Sequence, residues 1–363
     1  MKKNLLITTA LVSAVVGGHA SAQTTITGNM ELTYAALSAK ETTFSRRGLM
    51  RETQINVQNK GKLAGVDYAA GFALEFDGRG AAGGAQSFTV DNSISNENVY
   101  LDLIFGNTTL TMGLDHAPRG YASTVPQVYS AIDLASATGS ATSFVIGGGV
   151  VESAGFGVNH KFMGLTASAY YAPQLTQTGG ESVAGIPATV NENSAYEVGV
   201  AGTLQGTGLS VKAFTSNSKK KQTAEMAGDI ESINYGVGYN FGKFAIGVEY
   251  IEDKNNNSRA NISSGVQYAG LSTSTRTEKT KYYGVSYNID KNSSVSLNQF
   301  KTELSGAQKK TTHGDEKYTT LAYGYNFGPV GLSVSLMKFE NANYVTASTA
   351  SGDMGIVRLT ANF

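Results

Sequence analysis

The chain has 363 residues, 28 Lys and Arg balanced by 28 Asp and Glu, only 15% charged residues, 43 Gly, and neither Cys nor Trp. The balance argues against nucleic acid as a partner. The missing Cys excludes a disulfide scaffold, a Cys-ligated zinc site and a catalytic thiol. With 19 Tyr and 15 Phe the chain is too aromatic for a disordered coil, yet a soluble domain of this size carries about a quarter charged residues. Part of its surface is therefore expected to face something other than water.

Residues 1–22 read as a secretory signal peptide: Lys2 and Lys3, the apolar stretch Leu5 to Val16, and Ala20-Ser21-Ala22 as a small-residue cleavage site. That stretch is too short to span about 30 Å of hydrocarbon as a helix, and a lipid anchor would need a Cys after the cleavage site. Removing 22 residues, two of them Lys, leaves a single domain, 23–363, of 341 residues with two more acids than bases. No later segment has the roughly eighteen consecutive apolar residues of a membrane helix.

Strand alternation runs through the rest. Val66, Tyr68, Ala70, Phe72, Leu74 and Phe76 alternate with a face holding Asp67 and Glu75. Ile233, Tyr235, Val237, Tyr239 and Phe241 alternate with Asn234, Gly236, Gly238 and Asn240. Phe244, Ile246, Val248 and Tyr250 follow, then Leu321, Tyr323, Tyr325 and Phe327, and finally Val357, Leu359, Ala361 and Phe363. A period of two with one polar face means strands that meet two different solvents. In a soluble sandwich the polar face would be rich in Lys and Glu. Here it is largely Gly, Ser, Thr and Asn, and aromatics gather at strand ends, as in a lipid-facing band with interfacial girdles around a weakly polar interior.

Strands are expected near 26–36, 49–59, 66–76, 95–105, 108–115, 150–160, 165–172, 194–204, 209–217, 230–240, 244–253, 276–289, 293–304, 315–326, 330–341 and 352–363. The links alternate between long and short, which puts all long links on one rim and both termini on the other. The fold class is all-β: a transmembrane antiparallel β-barrel of sixteen strands. The sixth and ninth are weakly marked, which leaves fourteen or eighteen open. At this strand number the barrel encloses an aqueous channel. The longest link, about 116–149, contains Val125, Val128, Tyr129, Ile132 and Leu134. Its length and composition suit a loop folded into the lumen, packed against something and narrowing the channel.

Several short segments, in order, carry a resemblance: Ile26 to Tyr34, the basic Ser45-Arg46-Arg47-Gly48, Phe72 to Phe76, Asn98-Val99-Tyr100-Leu101, Phe105-Gly106-Asn107, Thr108 to Asp115 and the terminal Phe363. The chain resembles the trimeric general diffusion porins of Gram-negative outer membranes. The resemblance implies an outer-membrane location, passive diffusion of small polar solutes and ions, a homotrimer, and a C-terminal aromatic, Phe363, presented to the barrel-assembly machinery. It also implies a constriction where wall arginines face loop carboxylates across a partly desolvated opening. Carried onto this sequence, the wall residues are Arg46, Arg47 and Arg51 and the acids are Asp115 and Asp133. Alternation counted from Ile55 and Val57 turns Arg46 inward but Arg47 and Arg51 outward, unless a bulge intervenes near Leu49-Met50. The loop is poorer in acids than the family pattern.

Among strand residues of inward parity, Asp67, Glu75, Asp102, Glu197 and Glu249 outnumber Lys212 and Arg358, which points to a mild cation preference. Lys219-Lys220-Lys221 is placed on the outer rim, near lipid and lipopolysaccharide. No cofactor or metal is expected. An enzyme is disfavoured because His116, His160 and His313 stand in no nucleophile motif. The other reading is a structural or adhesive surface barrel that transports nothing.

Overall fold

A sheet edge facing hydrocarbon leaves backbone amides without partners, and this chain removes both edges by closing on itself. The computed structural model describes residues 22–37, 47–77, 95–114, 123–128, 154–173, 194–218, 230–254, 276–306, 314–341 and 351–363. The strands are β1 (Gln23–Leu37), β2 (Arg47–Leu63), β3 (Val66–Asp77), β4 (Ser95–Phe105), β5 (Thr108–Leu114), β6 (Gly155–Phe162), β7 (Leu165–Ala172) and β8 (Ala195–Thr203). They continue as β9 (Leu209–Ser218), β10 (Ile230–Phe241), β11 (Phe244–Lys254), β12 (Arg276–Asn288), β13 (Ser293–Gly306), β14 (Glu316–Phe327), β15 (Val330–Glu340) and β16 (Gly352–Asn362). Each pairs antiparallel with its sequence neighbours, and β1 pairs with β16, so the sheet is a closed sixteen-strand barrel.

Alternation assigns the faces as expected. Ile26, Val237, Val248, Leu321 and Val357 are exposed and lie in the outward phase. Thr33, Glu197, Lys212, Glu249, Asn298 and Thr320 are buried in the inward phase. Near the short turns the outward aromatics stack in a girdle, with ring centroids 5.9 Å apart for Tyr239 and Phe241, 5.7 Å for Phe241 and Phe244, and 4.6 Å for Phe244 and Tyr287.

The turns explain where strand ends differ from expectation. β2 runs to Leu63, beyond the expected 59, because its link to β3 is only Ala64-Gly65, with φ of 49° and 85°. β6 runs to Phe162, beyond the expected 160, for the same reason, since Met163-Gly164 has φ of 50° and 82°. Two consecutive residues with positive φ make the tight hairpin turn whose twist matches the flanking strands. Between β12 and β13 the Asp290 carboxylate accepts the backbone N–H of Asn292 at 2.7 Å and of Ser293 at 2.9 Å. These bonds hold its carboxyl below the ordinary carboxylate range. A lowered carboxyl pKa contributes stability above the unfolded value of about 3.9, and that contribution is lost as the pH falls through the folded value. An NMR titration is expected to place the Asp290 midpoint below that of a free Asp.

The barrel seam, nine pairs from Asn29–Asn362 to Leu37–Met354, is extended by the last residue. Gly28 N–H donates to the Phe363 carbonyl at 2.7 Å and Phe363 N–H returns the bond at 2.9 Å. The Phe363 ring lies over Gly28, where any Cβ would collide with it. Phe363→Ala is expected to cost about 1 kcal/mol, the scale of one cross-strand aromatic contact, read as a lower unfolding midpoint of the refolded barrel in urea.

Candidate pore constriction

The interior of the barrel is not lined evenly. On β10, β11, β12 and β14 the inward phase includes Gly236, Gly238, Gly247, Gly284 and Gly324. Without side chains these positions form a shallow trough, and residues 123–128 of the third long connection lie in it. A Cβ on Gly247 or Gly238 would fall on the Thr124 carbonyl oxygen, one on Gly236 on the Thr124 hydroxyl, and one on Gly324 2.6 Å from Val128 Cγ1. The glycines are thus explained by a close approach of backbone to backbone.

Directional bonds fix the segment in the trough. Glu249 Oε2 accepts the Ser123 hydroxyl at 2.8 Å and the Thr124 N–H at 3.3 Å, and the Thr124 hydroxyl donates to the Val248 carbonyl at 3.0 Å. Asn298 Nδ2 donates to the Pro126 carbonyl at 2.7 Å, Val128 N–H donates to Ser296 Oγ at 2.9 Å, and the Tyr282 hydroxyl donates to Gln127. On its other oxygen Glu249 accepts Lys212 Nζ at 2.9 Å, with the two side chains only 4% and 7% exposed.

Apolar packing adds the rest. Val125 belongs to one buried apolar cluster with Tyr282, Phe300, Tyr318, Ala322, Met337, Phe339, Met354 and Ile356, with Val128 and Ala35 packed at its edge. Tyr282, Phe300, Tyr318 and Phe339 occupy directly opposed positions on β12 to β15, with successive centroids 6.4, 4.4 and 6.3 Å apart. This corrects the expectation of a weakly polar inner face: here the lumen wall is aromatic, because it must offer the inserted segment an apolar seat. The signal was present, since Tyr282, Phe300 and Tyr318 fall out of phase with the outward Val285, Leu297 and Leu321.

The candidate charges divide into three groups. Asp67, Glu75, Asp102, Glu197, Lys212, Glu249 and Arg358 all occupy inward-phase positions. Asp67 pairs with Lys62 at 2.8 Å, Asp102 accepts the Thr111 hydroxyl at 2.6 Å, and Arg358 pairs with Glu31 across the seam. Arg47 and Arg51 lie opposite Ala36 and Leu32, and the pairing of β1 with β2 is unbroken from Arg47 to Lys60. No bulge re-phases the strand, so both positions belong to the outward set with Thr53, Ile55 and Val57. Arg46, Asp115 and Asp133, with Tyr129, Ile132 and Leu134, lie outside the described residues, as does Lys219-Lys220-Lys221. Sequence reasoning singled out Glu249 as a lumen charge but missed its bonds to the inserted segment. It also left unmarked the inward Asp253, Glu278 and Glu316. Among the described residues no group of three or more His, Asp or Glu could hold a metal ion.

A closed barrel of sixteen strands, apolar outside and charged within, whose third long connection enters the lumen, is a membrane channel of the porin class. The family model described as Gram-negative porin matches residues 8–344, and the chain belongs to that family. As such it is an outer-membrane diffusion channel. Solved structures agree on the fold. A Rhodopseudomonas blastica porin carrying three substitutions superposes with a TM-score of 0.58 at 13% identity, over 94% of this chain and 100% of its own. A loop-deleted OmpT, an outer membrane protein of Vibrio cholerae, superposes with a TM-score of 0.56 at 12% identity and the same coverage. No curated protein matches the sequence significantly.

Glu249→Ala is expected to destabilise the barrel by about 3 kcal/mol, because it strands the buried Lys212 ammonium as well as releasing Ser123 and Thr124. The pair replacement Lys212→Met with Glu249→Met is expected to recover most of that stability while leaving the segment unpinned. Urea unfolding reads the first effect, and excess open-channel noise in planar bilayers reads the second.

Proposed function

We propose that this porin is a general diffusion pore for small hydrophilic solutes and ions, narrowed by its third connection and mildly selective for cations. The observation that carries the reading is the anchoring of residues 123–128 by hydrogen bonds to β11, β12 and β13 on the lumen side. A segment held there by bonds to several strands takes up cross-section that would otherwise conduct.

Selectivity follows from the wall. Inward carboxylates at Glu31, Asp67, Glu75, Asp102, Glu197, Glu249, Asp253, Glu278 and Glu316 outnumber the inward cations Lys60, Lys62, Lys161, Lys212 and Arg358 among the described side chains. Rings of carboxylates favour cations in a narrow pore. Arg46, by parity, is the wall arginine that would stand against Asp115 and Asp133 across the opening and temper that preference.

The remaining parts of the reading are the homotrimer, the export signal 1–22 cleaved after Ala22, and recognition of Phe363 by the barrel-assembly machinery. Apart from Arg47 and Arg51 near the start of β2, the outward positions of β1 to β5 are uncharged, whereas those of β10 to β15 include many Lys and Glu; this supports a mainly apolar wall for subunit contact and a charged one for the membrane boundary. A folded oligomer on unheated gels that dissociates to one chain on boiling is expected.

Deleting Thr124 to Ala135 is expected to raise single-channel conductance; unchanged conductance would refute the constriction. In liposome swelling, permeation is expected to fall with sugar size, and sealed vesicles would favour the structural barrel instead. Replacing Arg46 with Ala is expected to shift the reversal potential further toward cations.

A further inference from the structure

Residues 123–128 are held on β11 to β13, and in a closed ring of sixteen strands β3 to β5 stand eight strands away, on the opposite wall. Whatever passes the segment passes along that wall. Tyr100 on β4 and Glu249 on β11 each lie five residues from the short-turn end of their strand, Phe105 and Phe244, so the two are at the same depth. Tyr100 is in the inward phase, directly opposite Gly71 on β3.

Among the described strand residues Tyr100 is the one inward ring that keeps access to the lumen. Tyr170, Phe214 and the row from Tyr282 to Phe339 are all buried. The Tyr100 ring also has a fixed pose. Its hydroxyl accepts from Gln58 Nε2 on β2, two strands away, so the ring lies along the wall instead of standing into the opening. Gly71 makes room for it, since a Cβ there would stand 3.0 Å from Tyr100 Cε1. Just beyond, the pairing of β3 with β4 shifts register between Gly71 and Ala73, and Asn98 takes a φ of 53°. Bulges of this kind re-aim neighbouring side chains and recur beside functional sites.

Gln58 also begins a run of amides. Gln58, Asn56 and Gln54 occupy successive inward positions of β2, about 7 Å apart along the strand, and stand opposite Thr25, Thr27 and Asn29 on β1. Asn56 Nδ2 donates to Gln54 Oε1 at 3.3 Å, and Thr25 and Thr27 are exposed. An amide offers donors and an acceptor side by side, and a hydroxyl does both with one atom. Such a surface exchanges hydrogen bonds with a neutral, hydroxyl-bearing solute without stripping any charge of its water. Asp102, one inward step from Tyr100 toward the short-turn rim, adds a carboxylate that already accepts from the Thr111 hydroxyl at 2.6 Å.

We propose that Tyr100 and the amides of β2 form a saccharide-binding subsite, in which a pyranose ring lays its C–H face on the Tyr100 ring while its hydroxyls bond Gln58 and Asn56. The inference rests on the reading of residues 123–128 as a constriction, which confines solutes to this wall. A pyranose has a flat apolar face edged by hydroxyls, and an aromatic platform edged by amides complements both parts. The channel thus holds sugars at its narrowest level instead of only sieving them by size.

The test is the ion current through single channels of the purified full-length porin in planar bilayers. Maltotriose is the probe, and polyethylene glycol of equal hydrodynamic radius, which has the volume without the ring or the hydroxyl array, is the comparison. Maltotriose is expected to block the current reversibly at concentrations where polyethylene glycol does not. Tyr100→Ala is expected to raise the half-blocking concentration about fivefold, the scale of one aromatic contact, whereas Tyr100→Phe, which keeps the platform, is expected to stay near the wild type. Gln58→Leu/Asn56→Leu is expected to raise it about tenfold, the scale of two hydrogen bonds exchanged with water. Each variant is first shown to be a folded barrel by its heat-dependent gel shift, and block is read against that variant's own open current. The effect of polyethylene glycol is expected to be the same in all variants, which a general widening of the pore would alter. Equal block by the two probes in the wild type overturns the proposal, as do equal half-blocking concentrations in the wild type and folded Tyr100→Ala. The constriction reading fails separately, through an open conductance in sugar-free buffer that deleting Thr124 to Ala135 leaves unchanged.

Discussion

Everything in this molecule follows from the demand that each backbone amide within hydrocarbon find a partner. The demand forces a closed sheet, closure forces both termini to one rim, and the seam is sealed by the reciprocal bonds between Gly28 and Phe363. Closure also makes every strand two-faced. One face must be apolar because it meets lipid, and the other is free to be anything the lumen requires. The residues that distinguish this protein are therefore expected on the inner face and beyond the membrane boundary.

The inner face uses that freedom in two opposite ways. Over the glycine trough it gives up side chains, so that the backbone of residues 123–128 can approach within contact distance of the wall. Beside the trough it fills the inward phase with Tyr282, Phe300, Tyr318 and Phe339, which would be out of place against open water but are covered here. Removal and addition of bulk on adjacent strands together shape a seat for one segment.

Alternation made the fold legible in the sequence, because lipid outside and water inside impose the same period on all sixteen strands. Strand ends were less legible where a two-residue turn with positive φ, such as Ala64-Gly65, let pairing run further than the polar residues suggested. Charges of inward parity could be read from phase alone: Glu197, Glu249 and Lys212 needed only the position of their apolar neighbours. Contacts of the inserted segment could not, since Ser123 and Glu249 are 126 residues apart and nothing local marks Glu249 as an anchor. The aromatic row was legible in principle, but an alternation rule that assigns aromatics to lipid reads past Tyr282 beside Tyr283.

Two kinds of force hold the segment, and they differ in what they determine. Burial of Val125 in the aromatic cluster is non-directional; a small slide along the wall would keep most of it. The bonds from Glu249, Asn298 and Ser296 are directional and lose strength steeply with misalignment, so they select one position. A buried ion pair such as Lys212 with Glu249 adds little net stability over an apolar pair of equal volume. Its value here is positional: Lys212 holds one oxygen of Glu249 in place, leaving the second oxygen to accept from Ser123 and Thr124. In the proposed reading, where this segment narrows the channel, its position would set the width of the opening, and a pair that contributes little to holding the barrel together would decide what passes through it.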